Sequence, residues 1–234
     1  MPPKIVPLAL GILIIASSQI IAQQKPLSGS PTASPPATPT PRPLSPQQQQ
    51  KVQEIAEKLQ ERTGNAAGKV FGAIQKQEGE VYLKFVYFLK PERLDPNSFA
   101  SKDEITEWRK LLQDLKEKEA TLETSYTNAD LDLGTALIQQ QISPPAAMQI
   151  KKTLLASFPW DAIKAKSQLM HDFLAEHSDL LDFFDQNWDS WKQGKEAHTA
   201  AFDNPDLAGK YEGLKNKITA TSDQLKDKYQ AMVK

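Results

Sequence analysis

The 234-residue sequence predicts an all-α fold: an antiparallel helical bundle with long coiled-coil-like helices, behind an N-terminal signal segment and a disordered proline-rich linker. Three observations carry this. From residue 47 onward apolar residues recur at steps of three and four, the period of a helix with one buried face. No segment alternates with period two, as a half-buried strand would. Finally, eight of the 17 prolines lie between Pro26 and Pro46, so the front of the chain has a composition of its own.

Composition excludes several chemistries. With 28 Lys+Arg against 29 Asp+Glu, the net charge is -1. That balance lacks the basic surface on which nucleic-acid affinity rests. The absence of cysteine removes disulfides, thiol nucleophiles, thiolate metal sites and lipid attachment through cysteine. Ten glycines are few for phosphate-cradling loops. The charge is also unevenly spread. Residues 1–46 hold Lys4, Lys25 and Arg42 and no acid, leaving 25 bases against 29 acids in residues 47–234.

Residues 1–22 read as a targeting segment. Lys4 supplies a small positive start, and Ile5 to Ala16 is an apolar run of signal-peptide length. The rival reading is an uncleaved anchor over residues 5–22, near the lower limit of a membrane span. Residues 23–46 form the Pro/Ser/Thr-rich linker, which cannot bury enough apolar surface to order itself. Fully extended it reaches roughly 75 Å at about 3.1 Å per residue.

Residues 47–234 form the helical bundle domain. Val52, Ile55, Leu59, Ala66, Val70 and Ile74 define the first helical face. Val81 to Leu89 is apolar nearly all round; its β-branched and aromatic content would suit a buried strand, but a lone strand has no partner, so it predicts a central, mostly buried helix ended by Pro91. Ser101 and Glu104 make a capping-box pattern. Behind it run Ile105, Trp108, Leu112, Leu115, Glu119, Leu122, Tyr126, Ala129, Leu133 and Ala136, a heptad seam with one polar interruption at Glu119. A break near residues 127–130 is left open. Ser143-Pro144-Pro145 starts another helix, and Pro159 interrupts it. Ser178 is expected to cap a further helix bearing Leu180, Phe184, Trp188 and Trp191 and closed by Gly194. Asn204-Pro205-Asp206 starts the last helix, whose seam is Leu207, Tyr211, Leu214, Ile218, Thr221, Leu225 and Met232.

The sharpest candidate site is a calcium-loop pattern: Asp185, Asn187, Asp189 and Glu196 occupy positions 1, 3, 5 and 12. It is defective, because position 6 needs glycine for a sharp turn and here is Ser190. A solvated acidic helix face accounts for the same residues. Gly64, Gly68 and Gly72 share one helix face, which fits either a tight helix crossing or hinge, or a loop splitting the first helix. His171 and His177 are six apart, the wrong spacing for two ligands on one helix, and His198 stands alone. Phe158, Trp160, Phe183, Phe184, Trp188 and Trp191 fit a sugar-stacking platform less well than ordinary core packing.

No spacing selects a catalytic set, and no cofactor is implied. The expected function is an exported, non-catalytic interaction or scaffold protein, secreted or periplasmic, with a protein partner or a homo-oligomer and without nucleic acid. Contact with a membrane is expected only through the N-terminal segment, if uncleaved, as a tether over residues 5–22. The alternative is an extracytoplasmic module binding calcium, a glycan or an apolar molecule.

Overall fold

The computed structural model describes residues 44–196 and 198–233; the expected signal segment and most of the expected linker lie outside them. The described residues form an all-α protein of five helices: α1 (Pro46–Phe88), α2 (Asp103–Gln139), α3 (Pro144–Ala156), α4 (Trp160–Gln186) and α5 (Pro205–Val233). Two 3-10 turns, Pro91–Leu94 and Pro96–Ser98, join α1 to α2.

The helix ends follow local chemistry. At the start of α1 the Gln48 N–H donates to Ser45 Oγ (3.3 Å) and the Ser45 N–H to Gln48 Oε1 (2.9 Å). This is a reciprocal capping box with Pro46 at the first helical position, where a missing N–H costs nothing. The Ser101–Glu104 box forms differently. Helix α2 starts at Asp103, and Glu104 Oε2 accepts from the Ala100 N–H at 3.0 Å. At the far end of α2, Gln141 takes φ 59°. The Ile142 N–H then reaches the Leu137 carbonyl (3.2 Å) and the Gln141 N–H that of Ile138 (2.9 Å), a left-handed cap built without glycine. Asn204 caps α5 as expected, its Oδ1 accepting from the Asp206 N–H at 2.9 Å.

Two questions left open by the sequence are answered: helix α1 runs unbroken through Gly64, Gly68, Gly72 and Gly79, and α2 runs unbroken through residues 127–130. Other expectations are corrected. The Val81–Leu89 stretch is helical, but it lies at the bundle surface. Val81, Phe85 and Phe88 are buried, whereas Leu83 is 62% exposed. Ser178 caps nothing, because α4 continues to Gln186. Past it, where a helix carrying Trp191 was expected, Trp191–Gln193 (β1) pairs antiparallel with Ala200–Phe202 (β2). Each strand has only three residues, too few for a period-two pattern to register in the sequence.

The described chain divides into two compact units. One comprises residues 71–130 and 158–233. Its interior joins the second half of α1, most of α2, α4 and α5. Contacts between residues 80 and 118 and 84 and 114, between 119 and 167 and 109 and 182, and between 176 and 221 and 183 and 211 show that α1 and α2, α2 and α4, and α4 and α5 run antiparallel here. Aromatic rings knit it together: Phe85 meets Phe173 edge-on at 5.0 Å, and Phe183 stacks on Tyr211 at 6.4 Å. The smaller unit comprises residues 44–70 and 131–157, with Ala66, Leu133, Leu137, Ile150 and Leu154 in its core.

Candidate functional site

The larger unit has a polar cluster inside its apolar core. Each member occupies a position that helical spacing reserves for an apolar residue. On α1 the buried series is Ile74, Glu78, Val81, Phe85; on α2 it is Leu115, Glu119, Leu122; on α4, Ile163, Lys166, Met170; on α5, Leu225, Tyr229. The helices therefore carry these side chains inward by the same periodicity that buries their apolar neighbours.

Lys166 Nζ donates to Glu78 Oε1 at 2.5 Å, and Tyr126 Oη donates to the same oxygen at 2.8 Å. Lys166 and Glu78 are 1% and 2% exposed, so the pair is held out of water. The ammonium also lies 5.4 Å from the Tyr229 ring centroid and 5.8 Å from that of Tyr126. That aromatic box offsets part of the cost of burying the cation. Glu119 lies on the other side of the network. Its Oε1 is 3.0 Å from Ser167 Oγ, and the same hydroxyl bonds Glu123 Oε1. His171 Nε2 stands 3.0 Å from Glu123, at the solvent-facing end. Burial raises the Glu119 carboxyl pKa, against the lowering influence of Lys166, and it raises the Tyr126 and Tyr229 phenols too. Three buried oxygens of the cluster have no hydrogen-bond partner: Glu78 Oε2, Glu119 Oε2 and Tyr229 Oη.

The calcium-loop residues are distributed among other tasks. Asp185, in the last turn of α4, pairs with Lys102 at 2.8 Å and Arg109 at 3.2 Å, and Lys102 foremost lowers its pKa. Asn187 Nδ2 donates to the Phe183 carbonyl at 2.8 Å, closing the helix. Asp189 takes φ 65° in the following turn, and Glu196 lies in the loop between β1 and β2. Among the described residues no three His, Asp or Glu are placed to hold a metal ion.

The histidines are also separate. His177 is buried, its Nδ1 3.2 Å from the Phe173 carbonyl, and burial lowers its pKa to about 4. It is therefore neutral at ordinary pH. His198 is in the loop before β2, with Nδ1 3.7 Å from the buried Asp95. The aromatic residues fall into two groups. Phe158 and Trp160 stack at 5.4 Å beside Phe71, whereas Phe184, Trp188 and Trp191 gather near the hairpin. Around Gly64, Gly68 and Gly72 an added Cβ would meet nothing within 4 Å, so no close helix crossing among the described residues uses them.

Of the polar core, Glu119 and His171 are already conspicuous in the sequence. Glu78, Lys166, Ser167 and Tyr229 are not, although a charged residue in an apolar register position marks the first two. No family model, curated protein or solved structure matches this chain.

Proposed function

We propose that this chain is an exported, non-catalytic helical interaction or scaffold protein that packs a helix face against a protein partner or a second copy of itself. The observation that carries the reading is on α2. Leu131 and Ile138, seven residues apart on one helix face, are 69% and 47% exposed. In the same unit Met148 is 66% exposed and Ile55 64%. Large apolar side chains repeating at heptad spacing gain free energy when another helix covers them. The buried Lys166–Glu78 pair supports the non-catalytic part, because those two charges are spent on one another away from solvent. In this reading residues 1–22 act as a signal or as a tether, and the Pro-rich residues 23–46 serve as a stalk if the tether stays and as a tail if it is cleaved. Among the described residues no helix is long and apolar enough to cross a membrane.

Light scattering on the full chain, paired with a Leu131→Glu/Ile138→Glu variant, tests the packing. Association or partner capture by the natural chain, lost in the variant, is expected. A monomer at every concentration, together with a pull-down that recovers nothing, contradicts it. The mature N-terminus, read by mass spectrometry from the native host, distinguishes a cleaved signal from a tether.

A further inference from the structure

Ser167 has one hydroxyl proton and two carboxylate neighbours. Its Oγ is 3.0 Å from Glu119 Oε1 and is also bonded to Glu123 Oε1. A single O–H gives a full hydrogen bond to one of them, or shares its proton as two weak ones. If both acids were ionised, two carboxylates would compete for that one proton. Both contacts become full hydrogen bonds when one acid carries a proton and donates it to the Ser167 lone pair.

Burial assigns that proton. Glu123 is 37% exposed and lies 3.0 Å from His171 Nε2, so water and an imidazole N–H serve its charge. Glu119 is 1% exposed. Every titratable group around it is accounted for. From α1 comes Glu78, from α4 Lys166 and His171, from α5 Tyr229, and from its own helix Tyr126 and Glu123. Lys166 is the one buried cation among them, and it is bonded to Glu78. An ionised Glu119 would leave the core with an uncompensated buried negative charge. A neutral one leaves it balanced. Its unpartnered Oε2 is then the carbonyl oxygen of an acid, which is cheaper to strand than a charged oxygen.

We propose that the folded protein binds one proton at Glu119, and that Ser167, Glu123 and His171 form the hydrogen-bonded route by which this proton exchanges with solvent. The site needs no cofactor; its ligand is the proton. Burial raising the Glu119 pKa agrees with this.

Infrared spectroscopy of the full chain at neutral pH tests the proposal through the carbonyl stretch of a protonated carboxylic acid. One such band is expected in the natural protein. It should be lost in Glu119→Gln, whose amide mimics the protonated acid sterically, and kept in Glu123→Gln. In Ser167→Ala the band should persist but move to the position of an acid without a hydroxyl acceptor, which assigns it even if Glu119→Gln fails to fold. Absence of the band in the natural protein at neutral pH overturns the proposal. So does a band that neither Glu119→Gln nor Ser167→Ala alters.

Discussion

Lys166 on α4 and Glu78 on α1 form an ion pair at 2.5 Å with each side chain at most 2% exposed. A pair this deep is a liability when half of it is missing. Removing one partner leaves a charge in low dielectric, which costs about 3–5 kcal/mol. Lys166→Met is therefore expected to destabilise the chain by that amount. Adding Glu78→Gln, which keeps an acceptor for the Tyr126 hydroxyl, should restore more than half of the loss. Urea unfolding of both single variants and the double variant measures the coupling. Additive losses would mean that the pair does not interact as described.

The aligned glycines give a prediction of opposite sign. Gly64, Gly68 and Gly72 sit in the interior of α1 with open space where a Cβ would go. Alanine there restricts the unfolded chain without a clash, so each substitution should stabilise by about 0.5–1 kcal/mol. The triple variant should show a raised denaturant midpoint. A lowered one would show that the glycines serve a contact or motion outside the folded form described.

Gly194 behaves differently. A Cβ there would come within 2.8 Å of the Thr199 carbonyl oxygen and against its hydroxyl, and the Gly194 N–H donates to that carbonyl at 2.9 Å. Gly194→Ala must push β2 away from β1, at a cost of roughly 1–3 kcal/mol as overpacking. Faster amide exchange at the hairpin and a lower melting temperature are the expected readouts. An unchanged hairpin would contradict this packing.

His177 and Glu119 give the stability opposite slopes with pH. The folded-state pKa of His177 is depressed to about 4, below the ordinary imidazole value of about 6.5. Between these the unfolded chain binds the extra proton, so this contribution is present above about 6.5 and is lost as pH falls through 4. Glu119 is raised, so its contribution is full below the unfolded carboxylate value of about 4.3 and is lost as pH rises through the folded pKa. His177→Phe should flatten the acid-side loss, and Glu119→Gln the loss toward higher pH. Denaturation midpoints across a pH series separate the two. Identical profiles for all three proteins would contradict both assignments.

How much of this was legible in the sequence depended on element length. The seam from Ile105 to Ala136 lies within a helix of 37 residues, long enough for its period to outweigh any single residue; eight of its ten positions are buried apolar residues, and the other two are the half-buried Trp108 and the buried Glu119. Caps written in side chains, such as Asn204, were equally readable. The left-handed turn at Gln141 was not, since glutamine carries no signal for positive φ. The β1–β2 hairpin was hidden for a different reason: Trp191 continues the helical spacing of Phe184 and Trp188, yet α4 stops at Gln186, where Asn187 folds back on Phe183. The polar core was half visible. Glu119 interrupts an otherwise apolar seam, but only the approach of α1 and α4 reveals that Glu78 and Lys166 meet and that Ser167 stands between two acids.

The helix-face interaction is tested most directly by light scattering of the full chain over a concentration series, with partner capture from the native host in parallel. The expected result is a mass above the 26.1 kDa of one chain, or a specific partner, in either case abolished by Leu131→Glu/Ile138→Glu. A mass of 26.1 kDa throughout with no partner recovered, or an assembly indifferent to both substitutions, would contradict the proposed role of that face.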